Sequence, residues 1–562
     1  MLERSSVKDR GLGARPRAKW PFVLLALGVV VVVAAASIAV VAHNRDVAAR
    51  KNKQQAQAAL TAYLSAWSRG NDAALTAVST PAEGVVPAID ELRKDLDLRS
   101  ASYAPGALSM HGSRASAPYT ATLVMQGLGT YTYSGTLTLQ KTGGVWKVVP
   151  DLTSVHPALQ PGTHLARTRD LGTRGQLLTN AGTPLKGQDA ELDSNLLGSV
   201  GPLTTAAQAA AIGPQFQVGD VAGLSGLERA YNKQLAGLPG GSVVVADAQG
   251  KTVQVLKKFA AHNGTDVKTT INLTVQQAGE AAVANVSKPA ALVAIDTRTG
   301  AMIAEVNHPL AGYSRSLRGV YPPGSTFKVI TATAGLLAGK TPQTVLQCPK
   351  TQQVDGRSFG NAENEEFGPI SFQTAFEKSC NTAFVNLAMS LPQSTLNEAA
   401  KLYGFDGTEP LPIKSTGGSY PTPTDGAEKA AQAFGQGRDT ASPLQMASVA
   451  SAVASGTWRQ PFVVGSAKVS HTLPGNVAAT LRTFMAGVVE RGTAAGVGLP
   501  AGTAGKTGTA EYGTAPPGGH PPTHAWFIGF RNDVAFAVVV EGGGFGGEVA
   551  APIAANFLNQ LG

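Results

Sequence analysis

The 562-residue chain is poor in charged residues and has almost no cysteine. Charged residues make up 15% of the sequence, well below the roughly 25% of an average soluble domain. The two cysteines, Cys348 and Cys380, are too few for a disulfide scaffold or a structural zinc site. An apolar share of 43% nevertheless excludes a fully disordered chain. The length predicts about three to four domains.

One long run without charge lies near the N-terminus. Residues 21–42 are 22 consecutive uncharged residues, and a membrane-spanning helix needs about 20. Residues 1–19 carry six basic and two acidic groups, a bias that keeps this side in the cytoplasm. A cleavable signal peptide is the alternative, but its apolar segment covers only about 7–15 residues. We expect a cytoplasmic tail over 1–19, a single-pass transmembrane anchor over 20–43 and an extracytoplasmic body.

The basic tail also explains much of the net charge of +9. The remaining surplus is spread along the body, so the charge requires no nucleic-acid partner. Other apolar runs, such as residues 534–540, have the length of strands and predict no second membrane span.

The first part of the body combines a helical and a strand pattern. Apolar residues recur on one helical face over 46–69, and Gly70 follows, which predicts a helix that ends there. Residues 119–149 alternate apolar and polar residues around turn signals, which predicts an antiparallel meander and an α+β cup. We expect Trp67 and Trp146 to be core residues rather than pocket residues.

The pattern changes after a mixed, scaffold-like stretch at 186–285. Two apolar strands surround the turn at 296–300, and a second pair follows residue 524, so both are predicted hairpins. An antiparallel sheet made from the two ends of this region, with helices inserted between them, is an α+β architecture.

Three short motifs lie between these hairpins. The first is Ser325-Thr326-Phe327-Lys328, at the start of a predicted helix. Residues three apart on a helix lie on one face, so the Lys328 amine can reach the Ser325 hydroxyl. A serine hydroxyl needs an adjacent base, and a lysine is one only when desolvation or neighbouring cations lower its pKa. Taken alone, this motif also fits a solvated helix face.

The second motif is Ser379-Cys380-Asn381, whose hydroxyl and amide can relay a proton and hold a substrate carbonyl. The third runs Lys506-Thr507-Gly508-Thr509 and reads as a strand, with Lys506 and Gly508 on one side and Thr507 on the other. There the glycine leaves room for a substrate backbone, and the lysine attracts a carboxylate. The same segment is not a phosphate-binding loop, because Pro500 occupies the position at which that motif requires glycine.

In this order and spacing the three motifs are specific, and residues 286–562 resemble the transpeptidase domain of class B penicillin-binding proteins. Further matching stretches are Phe434 to Gly437, Ser442 to Ala447, Val488 to Ala494 and His524 to Phe530. Residues 161–285 resemble the family's pedestal or dimerisation domain. Residues 44–160 are similar to the NTF2-like domain of resistance-type members.

Two departures from the family pattern affect the pedestal region. The segment at Arg174 lacks the acidic and basic pair that usually follows, and Asn272 stands where aspartate is common. These differences concern contacts between domains rather than the chemistry.

The resemblance implies a peptidoglycan D,D-transpeptidase, active in cell-wall biogenesis and cell shape, that needs no cofactor or metal. Ser325 would attack the carbonyl between two D-alanines of a stem peptide, and Lys328 would take its proton. Ser379 would protonate the leaving D-alanine nitrogen, and Asn381 would order the site.

The resemblance implies that Lys506 holds the hydrogen-bond network and the terminal carboxylate of the substrate, assisted by the hydroxyls of Thr507 and Thr509. Gly508 belongs to the same catalytic motif. The resemblance also places the oxyanion between the N–H groups of Ser325 and Thr509. An amine of a neighbouring stem peptide would resolve the acyl-enzyme, and β-lactams would acylate the same serine. Other expected partners are the membrane and a glycosyltransferase that polymerises glycan, with no nucleic acid.

Two alternatives remain open. One is a D,D-carboxypeptidase or β-lactamase with the same acyl-enzyme chemistry. The other is a β-lactam-binding sensor or low-affinity antibiotic-resistance protein. For Cys348 and Cys380 a disulfide is open in an oxidising compartment, but we expect two free thiols.

Overall fold

The structure is a computed structural model that describes residues 20–82, 84–310, 312–408, 411–516 and 520–562. The predicted tail over 1–19 lies outside the described residues. The chain divides into two compact units, each described by itself below. The N-terminal unit contains residues 20–169 and 241–260, and the C-terminal unit contains residues 170–240 and 261–562.

The first part of the chain forms α1 (Trp20–Arg69), α2 (Asp72–Ala77), α3 (Val85–Asp95), β1 (Leu98–Pro105), β2 (Ser109–His111), β3 (Arg114–Met125), β4 (Gly129–Thr142), β5 (Val145–Val149), α4 (Leu152–Val155) and β6 (Thr163–Asp170). The middle forms β7 (Leu177–Leu178), α5 (Ala190–Leu192), a π-helical turn (Asp193–Leu197), β8 (Val200–Pro202), α6 (Ala206–Ile212), β9 (Val221–Gly223), α7 (Gly226–Ala230), α8 (Asn232–Leu235), β10 (Gly240–Asp247), β11 (Thr252–Phe259), β12 (Val267–Lys268), α9 (Leu273–Val283), β13 (Ala290–Asp296) and β14 (Met302–His308).

The last part begins with α10 (Arg315–Arg318), a 3-10 turn (Gly324–Phe327), α11 (Lys328–Leu337), β15 (Val345–Cys348), β16 (Thr351–Val354), β17 (Arg357–Gly360), a 3-10 turn (Ala362–Asn364), β18 (Gly368–Ser371), α12 (Phe372–Glu377), α13 (Asn381–Met389) and α14 (Gln393–Leu402). It ends with β19 (Gly418–Ser419), α15 (Gly426–Gln432), β20 (Thr440–Ala441), α16 (Pro443–Ser455), β21 (Thr457–Arg459), β22 (Ser470–Thr472), α17 (Val477–Glu490), β23 (Ala504–Glu511), β24 (Thr523–Arg531), β25 (Val534–Val540) and α18 (Ala550–Gln560).

The N-terminal unit packs α1 against an antiparallel sheet. Strands β1, β3, β4 and β5 lie in that order, and β2 also pairs with β3, which confirms the predicted meander. Trp67 and Trp146 are buried core residues, as expected. Trp67 stacks on Tyr103 with ring centroids 3.9 Å apart.

The predicted anchor and the predicted helix over 46–69 are one continuous helix, α1. It ends at Arg69, and Gly70 then takes a φ of +63°, as a helix-terminating glycine does. From Val30 onward α1 is long and apolar enough to cross a membrane, and it provides a single-pass anchor for the chain.

The hairpin β10–β11 belongs to the N-terminal unit apart from its first residue. It forms a three-stranded sheet with β6, in the order β11, β10, β6, although residues 161–285 read as one region in the sequence. The domain boundaries expected from the sequence remain predictions.

A five-stranded antiparallel sheet forms the centre of the C-terminal unit. Its order is β14, β13, β25, β24, β23, so the two ends of this region do build one sheet. Helices α9, α16, α17 and α18 pack against it, and β13, β24 and β25 are therefore almost entirely buried. Strand β23, which carries Lys506, is the last strand of this order.

The two departures noted in the pedestal region have local partners. Arg174 donates to Glu228 Oε2 (2.5 Å from Nη2) and to Asn232 Oδ1 (2.8 Å from Nη1). Asn272 caps α9, because its Oδ1 accepts from Thr274 N at 3.0 Å, and asparagine serves as an N-cap about as well as aspartate.

Candidate active site

The first motif forms a tight turn followed by a helix. Ser325 lies in the 3-10 turn Gly324–Phe327, and Lys328 is the first residue of α11. Lys328 Nζ donates to Ser325 Oγ at 3.0 Å, so the expected contact is present although the expected α-helix begins three residues later. Gly324 has a φ of +53°, and a Cβ there would lie 2.8 Å from the Thr509 carbonyl oxygen. Only glycine fits this position without strain.

The second motif brings its polar atoms to the same amine. Lys328 Nζ donates to the Ser379 carbonyl oxygen at 2.5 Å, to Ser379 Oγ at 3.2 Å and to Asn381 Oδ1 at 2.6 Å. Ser379 has a φ of +57°, which is uncommon for a residue with a side chain and often marks a functional position. Asn381 Nδ2 donates to the Gly360 carbonyl at 2.9 Å, which fixes the orientation of the amide.

The third motif lies on β23 and supplies a second amine. Lys506 Nζ donates to Ser379 Oγ at 2.8 Å and to the Thr507 carbonyl at 3.0 Å. Thr507 Oγ1 lies 2.5 Å from Thr493 Oγ1. Thr509 Oγ1 accepts from Gly546 N at 3.3 Å. The Ser379 hydroxyl therefore lies between two lysines.

Gly508 differs from the expectation that it leaves space for a substrate backbone. A Cβ at this position would lie 2.8 Å from Thr326 Cγ2, 2.9 Å from Trp526 Cβ and 3.1 Å from the Pro323 carbonyl. The space beside the glycine is filled by the Ser325 turn. Because Gly508 has no side chain, β23 and the Ser325 turn can pack closely together.

Burial makes both lysines unusually weak bases. The side chains of Lys328 and Lys506 are fully buried, and their hydrogen-bond partners are hydroxyl, amide and carbonyl oxygens. Desolvation, and then repulsion by Lys506, hold the pKa of Lys328 well below its usual value. Desolvation lowers the pKa of Lys506 to about 7. A neutral amine at Lys328 can accept a proton from Ser325.

Further residues, whose role the motifs alone do not reveal, support this arrangement. Gly435, in the matching stretch Phe434 to Gly437, accepts from Gly324 N at 2.9 Å. Arg491 binds Glu377 through Nη2–Oε1 (2.5 Å) and Nε–Oε2 (3.0 Å). Glu377, the acidic partner of this ion pair, lies two residues before Ser379 in the sequence. Both stretches could be found from their resemblance to the family, but their contacts could not.

The expectation of two free thiols is wrong, because the structure joins Cys348 to Cys380 in a disulfide. The bond links the end of β15 to the residue between Ser379 and Asn381. The two cysteines are 32 residues apart in the sequence, so the sequence alone does not predict that they meet. They are brought together because β15 and α13 pack against each other.

The eight expected site residues come from three separate stretches of the C-terminal unit. Lys328, Ser325, Ser379, Asn381 and Lys506 form one continuous hydrogen-bond network. Thr507 and Thr509 lie beside Lys506 on β23, and Gly508 packs against the Ser325 turn. Within the described part of the chain, no group of three or more histidine, cysteine or acidic side chains could hold a metal ion.

Comparisons with known proteins agree with this geometry. Residues 290–559 match the penicillin-binding protein transpeptidase domain, and residues 188–269 match the penicillin-binding protein dimerisation domain. The peptidoglycan D,D-transpeptidase PbpA of Mycolicibacterium smegmatis is 36% identical over 355 residues, which are 52% of this chain and 71% of the relative. The chain belongs to the class B penicillin-binding proteins.

Two solved structures extend this result. Penicillin-binding protein A of M. tuberculosis, determined as a ceftriaxone acyl-enzyme complex, is 26% identical with a TM-score of 0.54 and covers 69% of this chain and 98% of its own. A chain of a peptidoglycan synthase complex has a TM-score of 0.60 at 23% identity and covers 72% of this chain and 92% of its own, so that likeness concerns the fold. The enzyme is a penicillin-binding serine D,D-transpeptidase of cell-wall synthesis.

Proposed function

We propose that Ser325 is the nucleophile of this transpeptidase and that Lys328 is its general base. The Ser325 oxygen attacks the carbonyl carbon between the two D-alanines of a stem peptide while its proton passes to the neutral Lys328 amine. The observation that carries this assignment is the 3.0 Å contact between Lys328 Nζ and Ser325 Oγ, made by a fully buried lysine with a lowered pKa.

Ser379 completes the path of the proton. Its hydroxyl accepts from Lys328 and from Lys506, so a proton on either amine can be relayed through it to the leaving D-alanine nitrogen. As that nitrogen gains the proton, its bond to the carbonyl carbon breaks and the acyl-enzyme remains. Asn381 orders the Lys328 amine through its Oδ1 atom.

The acceptor step reverses these transfers. The amine of a neighbouring stem peptide attacks the acyl carbon, loses its proton to Lys328, and the Ser325 oxygen leaves and is reprotonated. Backbone N–H groups of Ser325 and Thr509 hold the oxyanion in both steps, and each donor contributes about 3–4 kcal/mol to transition-state stabilisation. Lys506, Thr507 and Thr509 bind the terminal carboxylate, and β-lactams acylate Ser325 through the same contacts.

Covalent labelling tests the nucleophile. Ser325→Ala removes the attacking oxygen, so labelling of the detergent-solubilised protein with a fluorescent penicillin should be lost completely. Ser358→Ala, an exposed serine on β17, is the matched control and should label like the unmodified enzyme. Continued labelling of Ser325→Ala would falsify the assignment.

We further propose that α1 anchors the enzyme with residues 44–562 outside the cytoplasm and that a membrane glycosyltransferase supplies its glycan strands. The basic residues of the tail support this orientation. The resemblance in fold to a chain of a peptidoglycan synthase complex supports a polymerase partner. The helix and the antiparallel sheet of the N-terminal unit support an NTF2-like domain at 44–160, which precedes the pedestal at 161–285 and the transpeptidase domain at 286–562.

Product analysis separates this function from the related ones. A transpeptidase gives cross-linked dimers from stem peptides, whereas a D,D-carboxypeptidase gives shortened monomers. Acylation by β-lactams without either product would indicate a sensor, and slow acylation with retained cross-linking would indicate a resistance enzyme.

A further inference from the structure

A buried carboxyl group near the active site has no hydrogen-bond partner. Asp439 is fully buried, and neither of its side-chain oxygens accepts a hydrogen bond. The Oε1 atom of Gln432, also fully buried, lacks a donor as well. Gln432 uses its nitrogen elsewhere, because Nε2 donates to the Pro421 carbonyl at 2.8 Å. These three oxygens are acceptors, and buried acceptors without donors are costly.

The charged groups around Asp439 do not provide the missing donor. Arg438, the neighbouring cation, donates from Nη2 to Glu428 Oε2 at 2.9 Å and also binds the Thr422 carbonyl. Asp406 adds a second negative charge and accepts from Tyr420 N at 3.0 Å. Burial raises the pKa of Asp439 well above its usual value. The side chain of Gln432 lies within hydrogen-bonding reach of this carboxyl group and lowers its pKa in part, whereas the charges of Glu428 and Asp406 raise it further. Tyr420 also faces this carboxyl, and burial raises the pKa of its hydroxyl.

The segment that contains Asp439 is hydrogen-bonded to the stretch of chain just before Ser325. We call residues 432–441 the support segment. The Gly435 carbonyl accepts from Gly324 N at 2.9 Å, directly before Ser325. Ala441 N donates to the Tyr321 carbonyl at 2.8 Å, and Tyr321 N donates back to Ala441 at 3.2 Å. Gln432 and Asp439 lie near opposite ends of this segment.

The support segment also contacts the Ser325 turn closely. A Cβ at Gly435 would lie 2.3 Å from the Gly324 carbonyl oxygen and 2.8 Å from Phe327 Cβ. Phe327 in turn stacks on Tyr420, with ring centroids 5.3 Å apart. A shift of the segment is therefore passed directly to Gly324, just before Ser325, and to Phe327, two residues after it.

We propose that Asp439 is a positioning residue, which keeps its proton and donates it in a hydrogen bond to Gln432 Oε1. This contact closes the support segment and holds it against the turn that carries Ser325. The neutral acid supplies the donor that Gln432 Oε1 lacks, and its carboxyl group does not touch substrate. The inference rests on the proposed role of Ser325.

Two variants separate positioning from simple packing. Asp439→Asn keeps the shape of the side chain and a hydrogen-bond donor but cannot ionise, so its acylation rate with a fluorescent penicillin at neutral pH should stay within about twofold of that of the unmodified enzyme. Asp439→Ala leaves Gln432 Oε1 unpaired and should slow this acylation about tenfold. As pH rises into the alkaline range, ionisation of Asp439 should slow the unmodified enzyme relative to Asp439→Asn. Asp533→Asn, a surface carboxyl with a side chain 58% exposed, is the matched control.

Infrared spectroscopy provides a readout that does not depend on activity. The difference spectrum between the unmodified protein and Asp439→Asn should contain the C=O band of a protonated carboxylic acid at neutral pH. A carboxylate band in its place, or equal alkaline profiles for the two proteins, would overturn the proposal. If Ser325→Ala still labels, the nucleophile assignment fails; if it does not and the Asp439 variants behave like the unmodified enzyme, only the positioning role fails.

Discussion

Two buried amines face one hydroxyl at the centre of the site, and burial together with their mutual repulsion lowers the pKa of the proposed base, Lys328. Lys328 and Lys506 both donate to Ser379 Oγ, at 3.2 and 2.8 Å. Desolvation is the largest cause of the lowered pKa of Lys328, and the charge of Lys506 is the second. Acylation should therefore increase as pH rises through the pKa of Lys328, because only the neutral amine takes the Ser325 proton.

Removal of the Lys506 charge should shift the acid limb of the pH profile, which is the pH range over which acylation increases as Lys328 loses its proton. Lys506→Gln abolishes the repulsion, so the pKa of Lys328 should rise and the midpoint of the acid limb should move to higher pH. The acylation rate with a fluorescent penicillin, measured as a function of pH, gives this midpoint. The midpoint can be compared between the two proteins even if the maximal rate of the variant is lower. Lys401→Gln, on the exposed side of α14, should leave the midpoint unchanged. A midpoint that stays in place or moves to lower pH contradicts the electrostatic coupling.

Single residues also show what the sequence could reveal. The pair Ser325 and Lys328 follows from helical spacing, since three residues bring two side chains onto one face. The packing role of Gly508 and the unpaired carboxyl of Asp439 depend on which segments lie beside them, and residues distant in sequence supply those neighbours. The disulfide was missed for the same reason.

At the scale of elements, an ion pair joins the end of α12 to the end of α17, close to the turn that contains Ser379. Glu377 has a side chain only 6% exposed, whereas that of Arg491 is 50% exposed. Thr493 N donates to the Glu377 carbonyl at 3.2 Å, and Thr493 contacts Thr507. Glu377 and Thr493 therefore connect the Ser379 turn to β23, next to the ion pair.

Arg491→Gln should destabilise the enzyme and slow its acylation. The change leaves a buried carboxylate without its cation, and we expect a loss of about 2 kcal/mol in the free energy of unfolding, less than for a fully buried pair because Arg491 is partly solvated. Adding Glu377→Gln should restore part of the stability because no unpaired charge remains. Glu490→Gln removes the exposed partner of Arg491 and should change stability by less than about 0.5 kcal/mol. Equal losses in Arg491→Gln and Glu490→Gln would refute this account.

The elements themselves were largely predictable. The alternating pattern predicts the meander of the N-terminal unit, because half-buried strands have a period of two. Short apolar runs on both sides of turn signals predict the two hairpins of the central sheet, whose strands are almost entirely buried. The 3-10 turn at Ser325 was not predictable, since it depends on Gly324 meeting the Thr509 carbonyl across the site. The grouping of β10 and β11 with β6 likewise depends on contacts beyond the local pattern.

On the scale of the whole molecule, three buried carboxyl groups and one partly buried one link the pedestal region to the central sheet. Asn307 on β14 donates from its backbone N to Glu191 Oε1, and from Nδ2 to Glu305 Oε1 at 2.6 Å. Gln276 Nε2 donates to Glu280 Oε1 at 2.9 Å, and Asp189 lies beside Glu280. Burial, together with mutual repulsion, raises the pKa of Glu191 to about 9, that of Glu280 to about 7, and that of Glu305 as well.

These carboxyl groups make the stability of the contact between the pedestal region and β14 depend on pH. In the folded protein Glu191, Glu280 and Glu305 keep protons that the unfolded chain releases above its ordinary glutamate pKa of about 4.3. Between that pH and the raised pKa the folded state binds more protons, so the stability that each group contributes falls as pH rises, by at most about 1.4 kcal/mol per pH unit. Other groups, including the two active-site lysines, titrate over an overlapping range, so the effect must be measured as a difference between variants.

Glutamine substitution isolates each carboxyl, because glutamine has nearly the same shape and does not ionise. Relative to the unmodified protein, Glu280→Gln should gain stability as pH rises from about 5 to about 7 and then level off, following the pKa of Glu280. Glu191→Gln should continue to gain up to about pH 9. Thermal unfolding midpoints of the detergent-solubilised chain across this range provide the comparison, and Glu398→Gln, an exposed residue on α14, should show no pH-dependent difference. If both variants track Glu398→Gln at every pH, the carboxyl groups do not hold protons, and the contact between the pedestal region and β14 is insensitive to pH.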